Sequence, residues 1–144
     1  MEKKIDSFRG QYSFLSNFST CKIRYNGLLF CSTEAAFQAQ KCANDEDRIS
    51  FQFMTASESK QAGKAVTLRA DWNLVKDSVM YDLIKIKFLC EPFKSKLIAT
   101  GDIYIEEGNY WHDNYWGNCY CNRCVSDVGK NRLGKILMKV RSEL

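Results

Sequence analysis

The segment from Asp71 to Cys90 constrains the fold more than any other part of the chain. Trp72, Val75, Val79, Leu83, Ile86 and Cys90 recur at spacings of three and four, which lines them along one face of a helix. Asp71 is placed to cap its start, and Pro92, which has no N–H to donate, to end it. A helix this long with a continuous apolar stripe must bury that stripe against other elements. The chain has 144 residues, enough for one domain with a core of its own. Hydrophobic residues at 45% and charged residues at 26% exclude a disordered chain. No apolar run approaches the ~18 residues of a membrane span.

Other elements can be read around that helix. Cys21-Lys22-Ile23-Arg24-Tyr25 alternates, Asn26-Gly27 is a two-residue turn signal, and Leu28-Leu29-Phe30 returns, so residues 21–30 read as a β-hairpin. Ser32 or Thr33 then caps a helix running to about Cys42. Two more helices are expected near 45–55 and 58–68. Ile103-Tyr104-Ile105 reads as a short strand, and a last helix after Asn131 puts Leu133, Ile136, Leu137, Val140 and Leu144 on one face. The expected fold is a helix-rich α+β single domain, residues 1–144, with a small antiparallel sheet.

The start, Met1-Glu2-Lys3-Lys4, leads into Ile5-Asp6-Ser7-Phe8-Arg9 rather than a secretory apolar stretch. That points to the cytoplasm or a host cell interior. Seven cysteines are an odd number for a disulfide framework, so reduced thiols are expected. A net charge of +4 and a pI near 8.6 suit an anionic, nucleotide-like ligand and fall short of a dedicated nucleic-acid binder, whose pI exceeds ~9.

Three segments carry chemistry. In Thr33-Glu34-Ala35-Ala36-Phe37-Gln38-Ala39-Gln40-Lys41, the residues Glu34, Phe37, Gln38 and Lys41 share one face, opposite the alanines. On pattern alone that face reads as solvated. Residues 106–117 interleave Glu106, Glu107 and Asp113 with Tyr110, Trp111, Tyr115 and Trp116. Aromatics alone fit a core, but acids among them are costly to bury unless paired, and a sugar–base ligand would account for both. The single histidine, His112, reads as structural rather than as an acid–base group, and without a second one a Ser-His-Asp or zincin arrangement has no candidate. Cys119, Cys121 and Cys124 form the third segment. They would need a fourth ligand such as Cys21, Cys31 or His112 to hold zinc, and the second Cys pair of a strong zinc motif is missing. No metal or cofactor is expected.

Gly129-Lys130-Asn131-Arg132-Leu133-Gly134-Lys135 matches the first seven positions of a phosphate-binding P-loop. Ile136 stands where Ser or Thr would ligate magnesium, and helical periodicity runs through the stretch, so an NTPase is excluded. What survives is a helix start at Asn131 where Lys130 and Arg132 could help receive a phosphate.

Taken in order, Tyr12-Ser13-Phe14-Leu15-Ser16-Asn17-Phe18, the Ser32–Lys41 block, Asp71-Trp72, Lys87-Phe88, Asp113-Asn114-Tyr115-Trp116-Gly117 and Gly129–Gly134 resemble the NADAR family over nearly the whole chain. The resemblance implies a hydrolase of ribose–base linkages and reverses the solvated reading of the first helix. One branch of that family resembles enzymes that split phosphoribosylated riboflavin precursors, another those that remove ADP-ribose from guanine, including guanine in DNA. Carried over residue by residue, it implies Glu34 and Asp113 as acid–base groups and Lys41 as a nucleophile, with Glu107 a further acidic candidate. It implies substrate contacts from Arg9, Ser16, Asn17, Phe18, Phe37, Gln38, Trp72, Trp116, Gly117 and Asn131. Cleavage develops positive charge on the sugar, which carboxylates stabilise, and negative charge on the base, which needs a donor. Lys41 offers that donor or an amine that captures the sugar as a Schiff base, provided its pKa is lowered by burial or a neighbouring cation. The competing classes are a non-catalytic ADP-ribose reader and a zinc-dependent nucleic-acid adaptor.

Overall fold

A computed structural model describes residues 3–144; Met1 and Glu2, the first part of the N-terminal stretch read above, lie outside the described residues. In chain order the strands are β1 (Lys4–Ile5), β2 (Thr20–Tyr25), β3 (Leu28–Ser32), β4 (Tyr104–Ile105), β5 (Gly108–Asn109) and β6 (Asn118–Cys119). The α-helices are α1 (Thr33–Gln40), α2 (Asp45–Ser50), α3 (Ala56–Ala62), α4 (Trp72–Phe88), α5 (Phe93–Ala99) and α6 (Arg132–Ser142), with 3-10 turns at Gly10–Leu15 and Phe51–Phe53. No helix among the described residues is long and apolar enough to cross a membrane. Backbone contacts group the chain into two compact units, one of residues 17–90 and one of residues 3–16 with 91–144.

In the unit of residues 17–90, β2 and β3 form the expected antiparallel hairpin, with Tyr25 opposite Leu28. Asn26 and Gly27 both take positive φ, 50° and 84°, as a two-residue turn matched to strand twist requires. Ser32 caps α1 by accepting from the Ala35 N–H at 3.0 Å. Asn44 caps α2 through the Asp47 N–H, and the helix tightens to 3-10 at Phe51 instead of running to 55. The helix expected over 58–68 starts and ends earlier, because Thr55 and Glu58 close a reciprocal capping box.

The long helix α4 is two residues shorter at the far end than its sequence pattern suggested, and its buried stripe is turned. Trp72, Val79, Met80, Leu83, Ile84, Lys87 and Phe88 are buried, while Val75 and Ile86 are half-buried and Cys90 is exposed. Asp71 holds the cap position without capping; its carboxylate is taken by Arg69 at 2.6 Å.

In the other unit, β1 pairs with β4 and β5 with β6, both parallel, so the only antiparallel pair among the described strands is the hairpin. Ile5, Leu15, Leu97, Ile105, Leu133, Leu137 and Val140 are buried there. Pro92 opens α5, a helix the pattern did not announce, at its N-cap. In α6 the buried face is Leu133, Gly134, Leu137 and Val140, with Ile136 and Leu144 only half-buried. Gly134 is needed there: a Cβ would meet the Ile105 carbonyl oxygen at 2.3 Å, so only a glycine lets α6 approach β4 this closely.

Candidate active site

The face of α1 that the spacing suggests is solvated is buried. All eight residues of the helix are buried, since the hairpin, α3 and α4 all pack against it. Glu34 is 8% exposed and accepts a hydrogen bond from Gln38 Nε2 at 3.0 Å, a pairing that the one-turn spacing makes available. Its backbone N–H donates to the Asn17 carbonyl at 3.0 Å, which ties the Ser16-Asn17-Phe18 segment to the start of α1. Burying a carboxylate is costly unless it is paired, and the Gln38 amide supplies one of its partners.

Two more polar groups belong to this cluster. Asn17 donates its amide to Met80 Sδ at 3.5 Å, and its Oδ1 is buried without a hydrogen-bond partner among the described residues. Gln38 Oε1 is buried and likewise without a partner; it lies against Gly63, where a Cβ would come within 1.9 Å of it. Buried acceptors without a donor among the described residues are suited to the hydroxyl groups of a sugar. Phe37 packs on Trp72 with ring centroids 5.1 Å apart, and both rings are buried. Phe18 is 42% exposed with the Lys60 amine over its ring at 5.7 Å.

Lys41 follows α1 as its C-cap and is half-buried. Its N–H donates to the Gln38 carbonyl at 3.1 Å and its own carbonyl accepts from the Arg69 N–H at 2.9 Å, so the backbone under the amine is fixed on both sides. Burial lowers its pKa below the usual 10.5; the Glu34 carboxylate opposes that shift, and Lys60 and Lys76 add to it. Burial and the neighbouring cations thus act together to weaken the basicity of Lys41.

The second group of expected residues lies in the unit of residues 3–16 and 91–144. Its organiser is Asn109, 1% exposed, which the sequence reading passed over. Asn109 Oδ1 accepts from the Trp111 and Asp113 N–H groups at 3.2 and 3.1 Å, and its amide donates to the Asp113 carbonyl at 2.8 Å. Asp113 Oδ1 in turn accepts from the Tyr115 and Trp116 N–H groups at 3.1 and 2.9 Å. That is an Asx turn, which fixes the carboxylate by its Oδ1. Trp116 is half-buried, edge-on to Tyr115 at 4.8 Å.

The two adjacent acids differ in role. Glu106 is buried and held by Lys4 at 3.4 Å and by the Tyr120 hydroxyl, a structural pairing. The Glu107 carboxylate lies against Gly117, where a Cβ would meet Glu107 Oε2 at 2.0 Å and its carbonyl oxygen at 2.1 Å. Gly117 is thus the spacer that lets residue 107 sit where it does. Asn131 is 3% exposed, and its side chain is committed to the protein: it accepts from the Glu107 N–H and donates to the Ile105 carbonyl and the Tyr104 hydroxyl. The α6 N-terminus is not open to a phosphate either. The N–H groups of Asn131, Arg132 and Leu133 donate to the carbonyls of Gly117, Tyr115 and Trp116, and Lys130 and Arg132 sit over the Tyr115 ring. Arg9 is exposed at the start of the first 3-10 turn, and Ser16 closes it with its N–H on the Ser13 carbonyl.

The NADAR domain family matches residues 6–144. The chain belongs to the NADAR family. Across 143 residues it is 34% identical to a riboflavin biosynthesis protein of Vibrio vulnificus, a match covering 92% of this chain and 36% of that protein, so this NADAR chain spans about a third of that relative. An N-glycosidase of Nostoc punctiforme is 34% identical over 144 residues, covering 92% of this chain and 86% of the relative. The N-glycosidase YbiA of Escherichia coli is 31% identical, covering 92% and 82%. The solution structure of E. coli YbiA superposes with a TM-score of 0.81 at 29% identity, over 99% of this chain and 86% of that one. Two of these NADAR relatives are thus N-glycosidases by name.

Proposed function

We propose that this chain, acting as one NADAR domain, hydrolyses the bond between a ribose and a nitrogenous base in a nucleotide-like substrate: ADP-ribosylated guanine, free or in DNA, or a phosphoribosylated intermediate of riboflavin synthesis. The observation that carries the reading is the Glu34 cluster: a buried carboxylate, the partnerless oxygens of Asn17 and Gln38, and a half-buried Lys41 of weakened basicity in one compact unit. The names of the relatives support the bond class, and the riboflavin name of the Vibrio relative supports one of the two substrates.

When the bond from sugar C1′ to the base breaks, the electron pair leaves with the base and positive charge spreads over C1′ and the ring oxygen. A fixed carboxylate such as Glu34 stabilises that charge best where water is excluded. Lys41, when neutral, adds its nitrogen lone pair to C1′; the base takes up a proton, the ring opens to an imine, and water then returns the sugar and the free amine. Asp113, in the other unit, is a further acid–base candidate, with one oxygen fixed by its Asx turn. A location in the cytoplasm or a host cell interior accords with seven cysteines of which none is paired in a disulfide among the described residues.

Incubation of the full chain with each substrate class, scored by chromatography of released base, tests the proposal. Release from one class with a higher kcat/KM than from the other assigns the substrate. Tight binding of both without release would make the chain a reader.

A further inference from the structure

The sequence left open the fourth ligand for Cys119, Cys121 and Cys124, and the structure supplies it. One nitrogen of His112 and the three sulfurs lie within 4.8 Å of one another. His112 Nδ1 is 3.9 Å from Cys119 Sγ, 3.2 Å from Cys121 Sγ and 3.5 Å from Cys124 Sγ. In a tetrahedral zinc site with Zn–S of about 2.3 Å and Zn–N of about 2.0 Å, neighbouring ligand atoms are roughly 3.5–3.8 Å apart. The three His112 Nδ1–sulfur distances straddle that range, and all four atoms lie within 4.8 Å of one another, so small side-chain shifts close the cluster around an ion. A single ring nitrogen cannot make three good hydrogen bonds to three thiols, whereas one central cation satisfies all four groups together.

The backbone prepares the arrangement. Cys119 sits at the end of β6, held by its N–H on Asn114 Oδ1 at 2.8 Å. The Cys121 N–H donates to Cys119 Sγ at 3.5 Å, which fixes the spacing of the first two cysteines. The Cys124 N–H donates to the Cys121 carbonyl at 3.0 Å, and that turn folds the last two sulfurs toward each other. His112 holds φ at +71°, an unfavourable backbone for a histidine that persists only when its surroundings impose it.

We propose that His112, Cys119, Cys121 and Cys124 bind a structural zinc ion as a closed Cys3His site that pins the loop carrying Asp113. Three thiols lose their protons to solvent as zinc binds, and the imidazole contributes its neutral Nδ1. The ring proton then sits on Nε2, and the exposed Arg123 guanidinium, which contacts that nitrogen here, has to move off it because two donors cannot share the contact. With four protein ligands no coordination position remains for a substrate, which makes the ion structural.

The full chain, purified after growth with added zinc and freed of loose metal, is expected to hold roughly one zinc per chain by mass spectrometry of the metal. Replacement with cobalt is expected to give the visible absorption of a tetrahedral thiolate complex, a readout on the wild type that needs no variant. Cys121→Ser and His112→Asn should lose the metal, while Cys31→Ser and Cys90→Ser, at exposed thiols outside the cluster, should keep it. Chelation should lower the melting temperature. A wild-type chain without bound metal after exposure to zinc, or metal content indifferent to the cluster variants, would overturn the proposal whatever the enzyme's activity.

Discussion

Replacing Glu34 by Gln and by Ala separates catalysis from stability, because the structure assigns the two variants different costs. Glu34 accepts from Gln38 Nε2 at 3.0 Å in a site where it is 8% exposed. A glutamine keeps an acceptor oxygen at that place and nearly the same volume, so Glu34→Gln is expected to leave the melting temperature within about 2 °C of wild type, under one kcal/mol. Alanine leaves the Gln38 amide buried and unpaired, at about 1–3 kcal/mol, and adds a cavity term. At about 2–4 °C per kcal/mol for a chain of this size, Glu34→Ala should melt roughly 4–10 °C lower. Turnover should behave differently: both variants lose the carboxylate, and both should fall by about 10²–10⁴-fold. The assay is base release under saturating substrate, run beside thermal melts followed by circular dichroism. Activity of Glu34→Gln within a few-fold of wild type would refute the assignment.

Lys41→Arg keeps the charge and removes the nucleophile, so it should abolish any sugar adduct trapped by borohydride, and the wild-type adduct should form faster as pH rises toward and through the lowered lysine pKa, below 10.5; Arg with retained turnover and no wild-type adduct would leave direct attack by water. Gly63→Ala places a Cβ 1.9 Å from Gln38 Oε1 and should push that side chain off Glu34, lowering kcat while costing about 1–3 kcal/mol of stability in urea titrations. Lys87 is 1% exposed, and burial lowers its pKa from 10.5 to about 8. The unfolded chain then binds the extra proton between those values, so stability rises with pH across that window; Lys87→Met should be more stable than wild type at pH 7, by up to about 3 kcal/mol, and the gap should close toward pH 10.5.

The periodic and capped parts of the fold were legible in the sequence for physical reasons. Asn26-Gly27 can take the two positive φ angles its turn needs, and Ser32 has an oxygen for the first turn of α1. The parallel pairs β1–β4 and β5–β6 were not legible, because each is two residues long and joins segments far apart in the chain or bridged by a loop. Spacing placed Glu34, Phe37, Gln38 and Lys41 on one face of α1 but could not tell a solvated face from a buried one. Alanines on one side allow close packing, and only the tertiary structure shows that other elements also cover the polar side. Asn109 was invisible because its role is to bond backbone N–H groups in a loop, which leaves no periodic trace. Gly63 was invisible because its importance lies in the side chain it makes room for. The fourth ligand of the cysteine cluster was undecided because His112 reaches it through a left-handed backbone turn.

The central claim is that the chain cleaves an N-glycosidic bond with Glu34 at the reacting centre. The most direct measurement is product stoichiometry in a single turnover, with enzyme in excess over an ADP-ribosylated guanine nucleotide or a phosphoribosylated riboflavin precursor. Free base and a sugar with a new reducing end should appear in equal amounts with wild type, and neither should appear with Glu34→Gln on the same timescale. Substrate recovered intact from a saturated wild-type complex, for both classes, would contradict the account.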